Sequence, residues 1–92
     1  MSRPYLLTRR AQRDLVRIRD YIVQDSPRAS VRFIETLMAR FDQIAFAPYM
    51  AQAITSNPRF RRLPHGSYVI FYEVAADDLV IIRSIEHSAT LK

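Results

Sequence analysis

A chain of 92 residues is long enough for one domain with a single modest core. It has no cysteine, which excludes a disulfide framework and any thiolate metal site, and its one glycine argues against a glycine-rich phosphate loop. The net charge of +5 rests on 13 arginines and one lysine, Lys92; arginine favours planar, bidentate partners, so this is either the mark of an acidic partner (nucleic acid, a machine that works on nucleic acid, or an acidic protein) or a solvated surface with Arg-biased codon usage.

No apolar run reaches transmembrane length and there is no signal-peptide pattern, so a cytoplasmic protein with no membrane partner is expected. No residue set suggests a cofactor, a metal or a small-molecule ligand. Arg3–Leu7 reads as a short extended segment. Thr8 then fits a helix N-cap, because its hydroxyl can accept an orphan backbone N–H. Ala11, Leu15, Ile18 and Ile22 follow at spacings of four, three and four, one face of an α-helix. Arg9, Arg10, Arg13, Arg17 and Arg19 cover much of the rest and read as a solvated face. Asp14 lies within helical reach of Arg10 and Arg17 and softens their repulsion.

Ser26 can cap a second helix, with Pro27 in its first position. Ala29, Phe33, Leu37, Phe41 and Ile44 mark its buried face, and Pro48 stops it after about Ala47. So short a joint predicts an antiparallel helical hairpin with one side on a sheet. Tyr49–Pro58 reads as a loop, Arg59–Leu63 as a strand, and Pro64–Ser67 as a turn in which Gly66 takes a positive φ. Tyr68–Val74 and Leu79–Ile85 are rich in β-branched and aromatic residues and flank a polar turn at Ala76–Asp78. Tyr68–Tyr72 leaves no polar face, so that strand is expected at the centre of its sheet. Ser88–Lys92 reads as a polar, mobile tail. The whole is a small α+β domain of order β-α-α-β-β-β, residues 1–92, with the hairpin on a mainly antiparallel sheet.

These pieces together resemble the RelE/ParE toxin superfamily of bacterial toxin–antitoxin systems. The resemblance runs through Ala11-x-x-Asp14-Leu15-x-x-Ile18-x-x-Tyr21-Ile22, Ala29-x-x-x-Phe33-x-x-x-Leu37, and Phe41-x-x-Ile44 leading to Pro48. It continues in Gly66-x-Tyr68-x-Ile70-x-Tyr72 and in Val80-Ile81-Ile82-Arg83-x-Ile85-x-His87. It implies two helices against a twisted antiparallel sheet. It also implies one of two activities. RelE-like members are ribosome-dependent mRNA endoribonucleases and carry an arginine directly after the Tyr of Gly-x-Tyr; here that residue is Val69. They also carry Arg or Lys just past the last strand, near Ser88. Without such a cation the nuclease chemistry loses its largest electrostatic contribution. ParE-like members lack the set and inhibit DNA gyrase, and the long first helix looks more like theirs. Many end in His-x-x-Arg; here Thr90 replaces that Arg.

The resemblance therefore implies a ParE-like toxin that binds gyrase and is neutralised by a cognate ParD-like antitoxin of ribbon-helix-helix type, in a hetero-oligomer. No catalytic residue is expected. Contact with target or antitoxin is expected at Arg59, Arg61, Arg62, Arg83, His87 and Lys92. Arg59, Arg61 and Arg62 form either a contact cluster or a solvated strand edge. Arg83 is either a contact residue or the partner of Glu73 across the hairpin. Tyr68 and Tyr72 are expected in the core.

Overall fold

The computed structural model describes residues 3–54 and 56–91. The chain forms β1 (Tyr5–Leu7), α1 (Arg9–Val23), α2 (Pro27–Phe46), β2 (Gln52–Ile54), β3 (Asn57–His65), β4 (Tyr68–Val74) and β5 (Val80–His87). One five-stranded sheet has the order β1-β5-β4-β3-β2, and β4 is its centre, as its apolar run requires. All pairs are antiparallel except β1 with β5. Among the described residues, no helix is long and apolar enough to cross a membrane.

Both helix starts are set locally. The Thr8 hydroxyl accepts the Ala11 N–H and the Ser26 hydroxyl accepts the Ala29 N–H, each satisfying an orphan donor of the first turn. Pro27 opens α2 where a missing N–H costs nothing. The apolar stripes of both helices meet one face of the sheet. There Ala11, Ile18, Leu37, Phe41 and Ile44 pack with Ile70, Tyr72, Val80, Ile82 and Ile85, all at most 2% exposed. Ala29 does not belong to this face. It is exposed, and Ser30 is buried in its place, donating its hydroxyl to the Arg19 carbonyl and tying α2 to α1.

Two expectations for the second half need correction. The segment 49–58 is not all loop, because β2 lies within it and adds a fifth strand. Gln-Ala-Ile has no alternation to announce a strand; it becomes one by pairing with Arg61 and Arg62 of β3. The next strand is also longer than Arg59–Leu63 and runs on through Pro64 to His65. β2 pairs no residue of β3 beyond Arg62, so the absent N–H of Pro64 breaks no ladder there. The turn shrinks to Gly66 and Ser67, with Gly66 at φ 58°. In the β4–β5 turn Asp77 and Asp78 both have φ 59°, the left-handed pair that a tight hairpin turn needs and Asp tolerates.

β5 carries a bulge. Phe71 faces Ser84 and Tyr72 faces Ile82, so Arg83 is the extra residue. The bulge shifts the alternation by one, which is why Ile85 is buried with Val80 and Ile82. β1 ends at Leu7, leaving the outer edge of β5 without a strand beyond Ile82. α1 takes it over. The Thr8 N–H donates to the Ile82 carbonyl, the Thr8 hydroxyl to the Arg83 carbonyl, and the Ile85 N–H to the Asp14 carboxylate at 2.9 Å. Past the strand, Ser88–Thr90 forms a 3-10 turn. The Ser88 N–H donates to the Ser67 carbonyl, so this part of the tail is tethered.

Candidate functional site on the open face of the sheet

The helices cover one face of the sheet. On the other, the register sets Phe60 opposite Glu73 and Arg62 opposite Phe71, because these residues alternate with the core positions Ile70 and Tyr72. Glu73 is the anchor of this face. Its side chain is 14% exposed and lies between two guanidinium groups, Arg83 at 3.2 Å and Arg59 at 3.9 Å. Arg83 also stands over the Phe60 ring at 5.9 Å, and Arg62 over the Phe71 ring at 5.9 Å. Two cations on one carboxylate leave a net positive face, and the aromatic rings hold the guanidinium planes in place. Beside it is a hollow of about 320 Å³ whose walls include Thr8, Arg10, Phe60, Phe71, Arg83 and Ser84.

Arg59, Arg62 and Arg83 therefore share one surface, with Arg83 in the ion pair with Glu73. The bulge sets Arg83 there. Its side chain is half exposed, so the pair stabilises little, less than about 1 kcal/mol. Both Arg83→Ala and Glu73→Ala are expected to lower the melting temperature slightly. A double-mutant cycle in urea should give a coupling below about 1 kcal/mol; a much larger coupling would make Arg83 a structural residue and remove it from the site.

Arg61 borders the same hollow, but its guanidinium turns away from Glu73. It lies opposite Tyr72, toward the helices, donates to the Ala51 carbonyl and stacks on the Tyr49 ring at 4.9 Å. Its buried Nε has no partner. With the Tyr72 hydroxyl, which donates to the Pro48 carbonyl, it fastens the chain between α2 and β2. Nor is β3 an edge, since β2 lies outside it. Lys92 lies outside the described residues.

His87 sits apart as well, at the end of β5. Its ring meets Tyr68 edge-on at 5.1 Å, and its Nδ1 accepts the Ala89 N–H. It borders a hollow of about 560 Å³ between α1 and the sheet, with Arg10, Arg17, Tyr21, Tyr68 and Thr90. Burial, with Tyr21 adding to it and Arg17 opposing, raises the pKa of Tyr68, which keeps the phenol protonated and a poor base near neutral pH. The other histidine, His65, pairs with the Thr36 hydroxyl on α2, and burial and then Arg40 lower its pKa. Among the described residues no group of three or more His, Asp or Glu side chains is placed to hold a metal ion.

Beyond its ion pairs, Asp14 is a structural residue. It is 2% exposed, accepts from Arg17 at 2.7 Å, and lies 3.8 Å from Arg10. The spacing Ala11–Asp14–Ile18 carried the signal, because it places a carboxylate on the apolar stripe itself.

Comparison with known proteins accords with this architecture. The family model described as the ParE toxin of the type II toxin–antitoxin system parDE matches residues 5–91. A relative from Caulobacter vibrioides, "Toxin RelE2", is 42% identical over 84 residues, covering 91% of this chain and 93% of the relative. A second from the same organism, "Toxin RelE3", is 33% identical over 81 residues, covering 86% and 87%. The solved structure described as "Chromosomal ParDE TA system from P. aeruginosa" superposes with a TM-score of 0.75 at 20% identity, covering 94% of this chain and 96% of that one, a likeness of fold.

Proposed function

This chain belongs to the ParE toxin family of type II toxin–antitoxin systems, and from that premise we propose that it inhibits DNA gyrase by direct contact, through the open face of its sheet. The observation that carries the reading is the arrangement around Glu73. Arg59, Arg62 and Arg83 are spread over a carboxylate and two aromatic rings, which forms a basic, rigid contact surface. Arg59 and Arg83 converge on Glu73, whose carboxylate their guanidinium groups occupy, and His87 lies apart from them. The position after Gly-x-Tyr is Val69, 3% exposed, and His87 lies at the end of β5 with Nδ1 engaged. Inhibition then depends on a protein–protein surface whose arginines and aromatics have the composition of interface anchors.

The resting partner is a cognate antitoxin of ribbon-helix-helix type, in a toxin–antitoxin hetero-oligomer. Phe46, Tyr49 and Met50 are 70%, 57% and 45% exposed, an apolar patch at the end of the helical hairpin. β2, the short edge strand, follows immediately, and an antitoxin tail that folds on binding can use both.

The second reading, a ribosome-dependent mRNA endoribonuclease, is favoured by the RelE name of both Caulobacter relatives. One experiment separates them. The purified chain is expected to block supercoiling by gyrase and to leave ribosome-bound mRNA intact, and Arg62→Ala with Arg83→Ala should weaken the block with no more than the slight loss of melting temperature expected of Arg83→Ala. Codon-positioned mRNA cuts in a translating extract, with gyrase unaffected, would replace the first reading by the second.

A further inference from the structure

The first helix holds much of the positive charge, and of its arginines only Arg10 borders the hollow on the sheet face. α1 carries five arginines against two aspartates. Arg10 is held by Glu86 and Asp14, and Arg19 by Asp20. Asp14 is buried and already engaged by the Ile85 N–H and by Arg17. Arg9 and Arg13 are exposed and have no carboxylate in ion-pair range among the described residues. With Arg17 they recur every four residues, one row along the outer side of the helix, each step a rise of about 6 Å. Arg17 is 67% exposed despite its bond to Asp14. Beside the row lies a broad, shallow hollow of about 870 Å³, bordered also by Gln12, Val16, Tyr21, Gln24 and Asp20, whose carboxylate is engaged by Arg19.

We infer that this row, Arg9, Arg13 and Arg17, is a docking surface for the phosphate backbone of double-stranded DNA. The inference goes beyond gyrase inhibition and does not use it. Like charges four residues apart destabilise a helix; Arg17 is offset by Asp14, but Arg9 and Arg13 have no carboxylate in range among the described residues. A row of phosphates supplies the missing anions, and guanidinium groups bind them bidentately. An acidic polypeptide is the competing occupant, because Val16 and Tyr21 give the hollow exposed apolar surface; it is an outcome of the test. Single strands fit less well, because among the described residues Tyr21 is the only aromatic ring bordering this hollow and stacking is what holds unpaired bases. Contact is with the backbone alone, so binding is insensitive to sequence and steep in salt.

The test is fluorescence anisotropy of a labelled duplex of about 20 base pairs with the full chain, from about 50 mM salt upward. The chain is expected to bind, with log affinity falling linearly against log salt. Arg9→Gln with Arg13→Gln should weaken binding and reduce the slope by about 1.8, two contacts at about 0.9 each. Both residues are exposed, so the melting temperature should stay within a degree or two of the parent, roughly the effect expected of surface substitutions. Arg28→Gln with Arg32→Gln, an equal loss of charge on α2, should leave the slope nearly unchanged. Four results each overturn the proposal: no binding by the parent chain; an unaltered slope in the α1 variant; an equal loss in the α2 variant; or tighter binding of a single strand, or of poly-glutamate of matched charge, than of the duplex. None of these arms contains gyrase, so a negative supercoiling assay and a negative result here remain distinct.

Discussion

Asp14→Ala is expected to lower stability by about 3 kcal/mol, measured as a shift of the urea midpoint at constant slope. The ion pairs with Arg10 and Arg17 are the smaller part, because both guanidinium groups are more than half exposed and return to water when the carboxylate is removed. The larger part is the Ile85 N–H, buried under α1 and left without an acceptor, a loss of roughly 1 to 3 kcal/mol, more where the acceptor was charged. Ile85 also follows the bulge that keeps β5 in phase with the core, so the variant loosens the strand at the point where its alternation is reset. Asp14→Asn keeps an acceptor oxygen and is expected to lose less than half as much. If Ala and Asn are equivalent and both cost under about 1 kcal/mol, the carboxylate does not hold β5 and the helix–strand link lies elsewhere.

Phe41→Ala should cost about 3 to 5 kcal/mol, as for a fully buried aromatic. Phe41 is 0% exposed and meets the edge of the Tyr5 ring at 5.7 Å. It therefore joins α2 to β1 as well as filling the core between hairpin and sheet. Tyr5 stands at the start of a three-residue strand whose sheet pairing is with β5 alone. Amide exchange should accordingly rise first in β1 of the variant, before the rest of the sheet opens. A loss below about 1 kcal/mol in the same urea titration would place the ring outside the core.

The arginine surfaces and these core contacts differ in how far they can be read from the chain. Arg59, Arg61 and Arg62 are neighbours in sequence, yet they divide between two faces of the sheet, because alternation sends Arg61 toward Tyr49 and Arg62 toward Phe71. Arg59 and Arg83 are 24 positions apart and share Glu73. Arg83 interrupts the apolar stretch Val80–Ile85, and the bulge explains how a cation is tolerated there: it turns outward while Ile82 and Ile85 both stay in.

By itself the sequence determined what local chemistry decides. Thr8 and Ser26 with Pro27 set the helix starts, Gly66 and the Asp77–Asp78 pair set the turns, and the unbroken apolar run of β4 set the centre of the sheet. The resemblance carried by the two helix patterns, by Gly66-x-Tyr68-x-Ile70-x-Tyr72 and by Val80–His87 also pointed to its family. Tertiary structure alone decided what depends on a partner distant in sequence. Gln52–Ile54 is a strand only because β3 offers an edge, and Asp14 is a buried acceptor only because β5, 71 residues away, ends its pairing with β1 beneath it. Arg61 and Arg83 are likewise assigned by what lies opposite them. Caps and turns follow from forces within four or five residues, whereas strand pairing and buried carboxylates follow from backbone groups that some other part of the chain must satisfy.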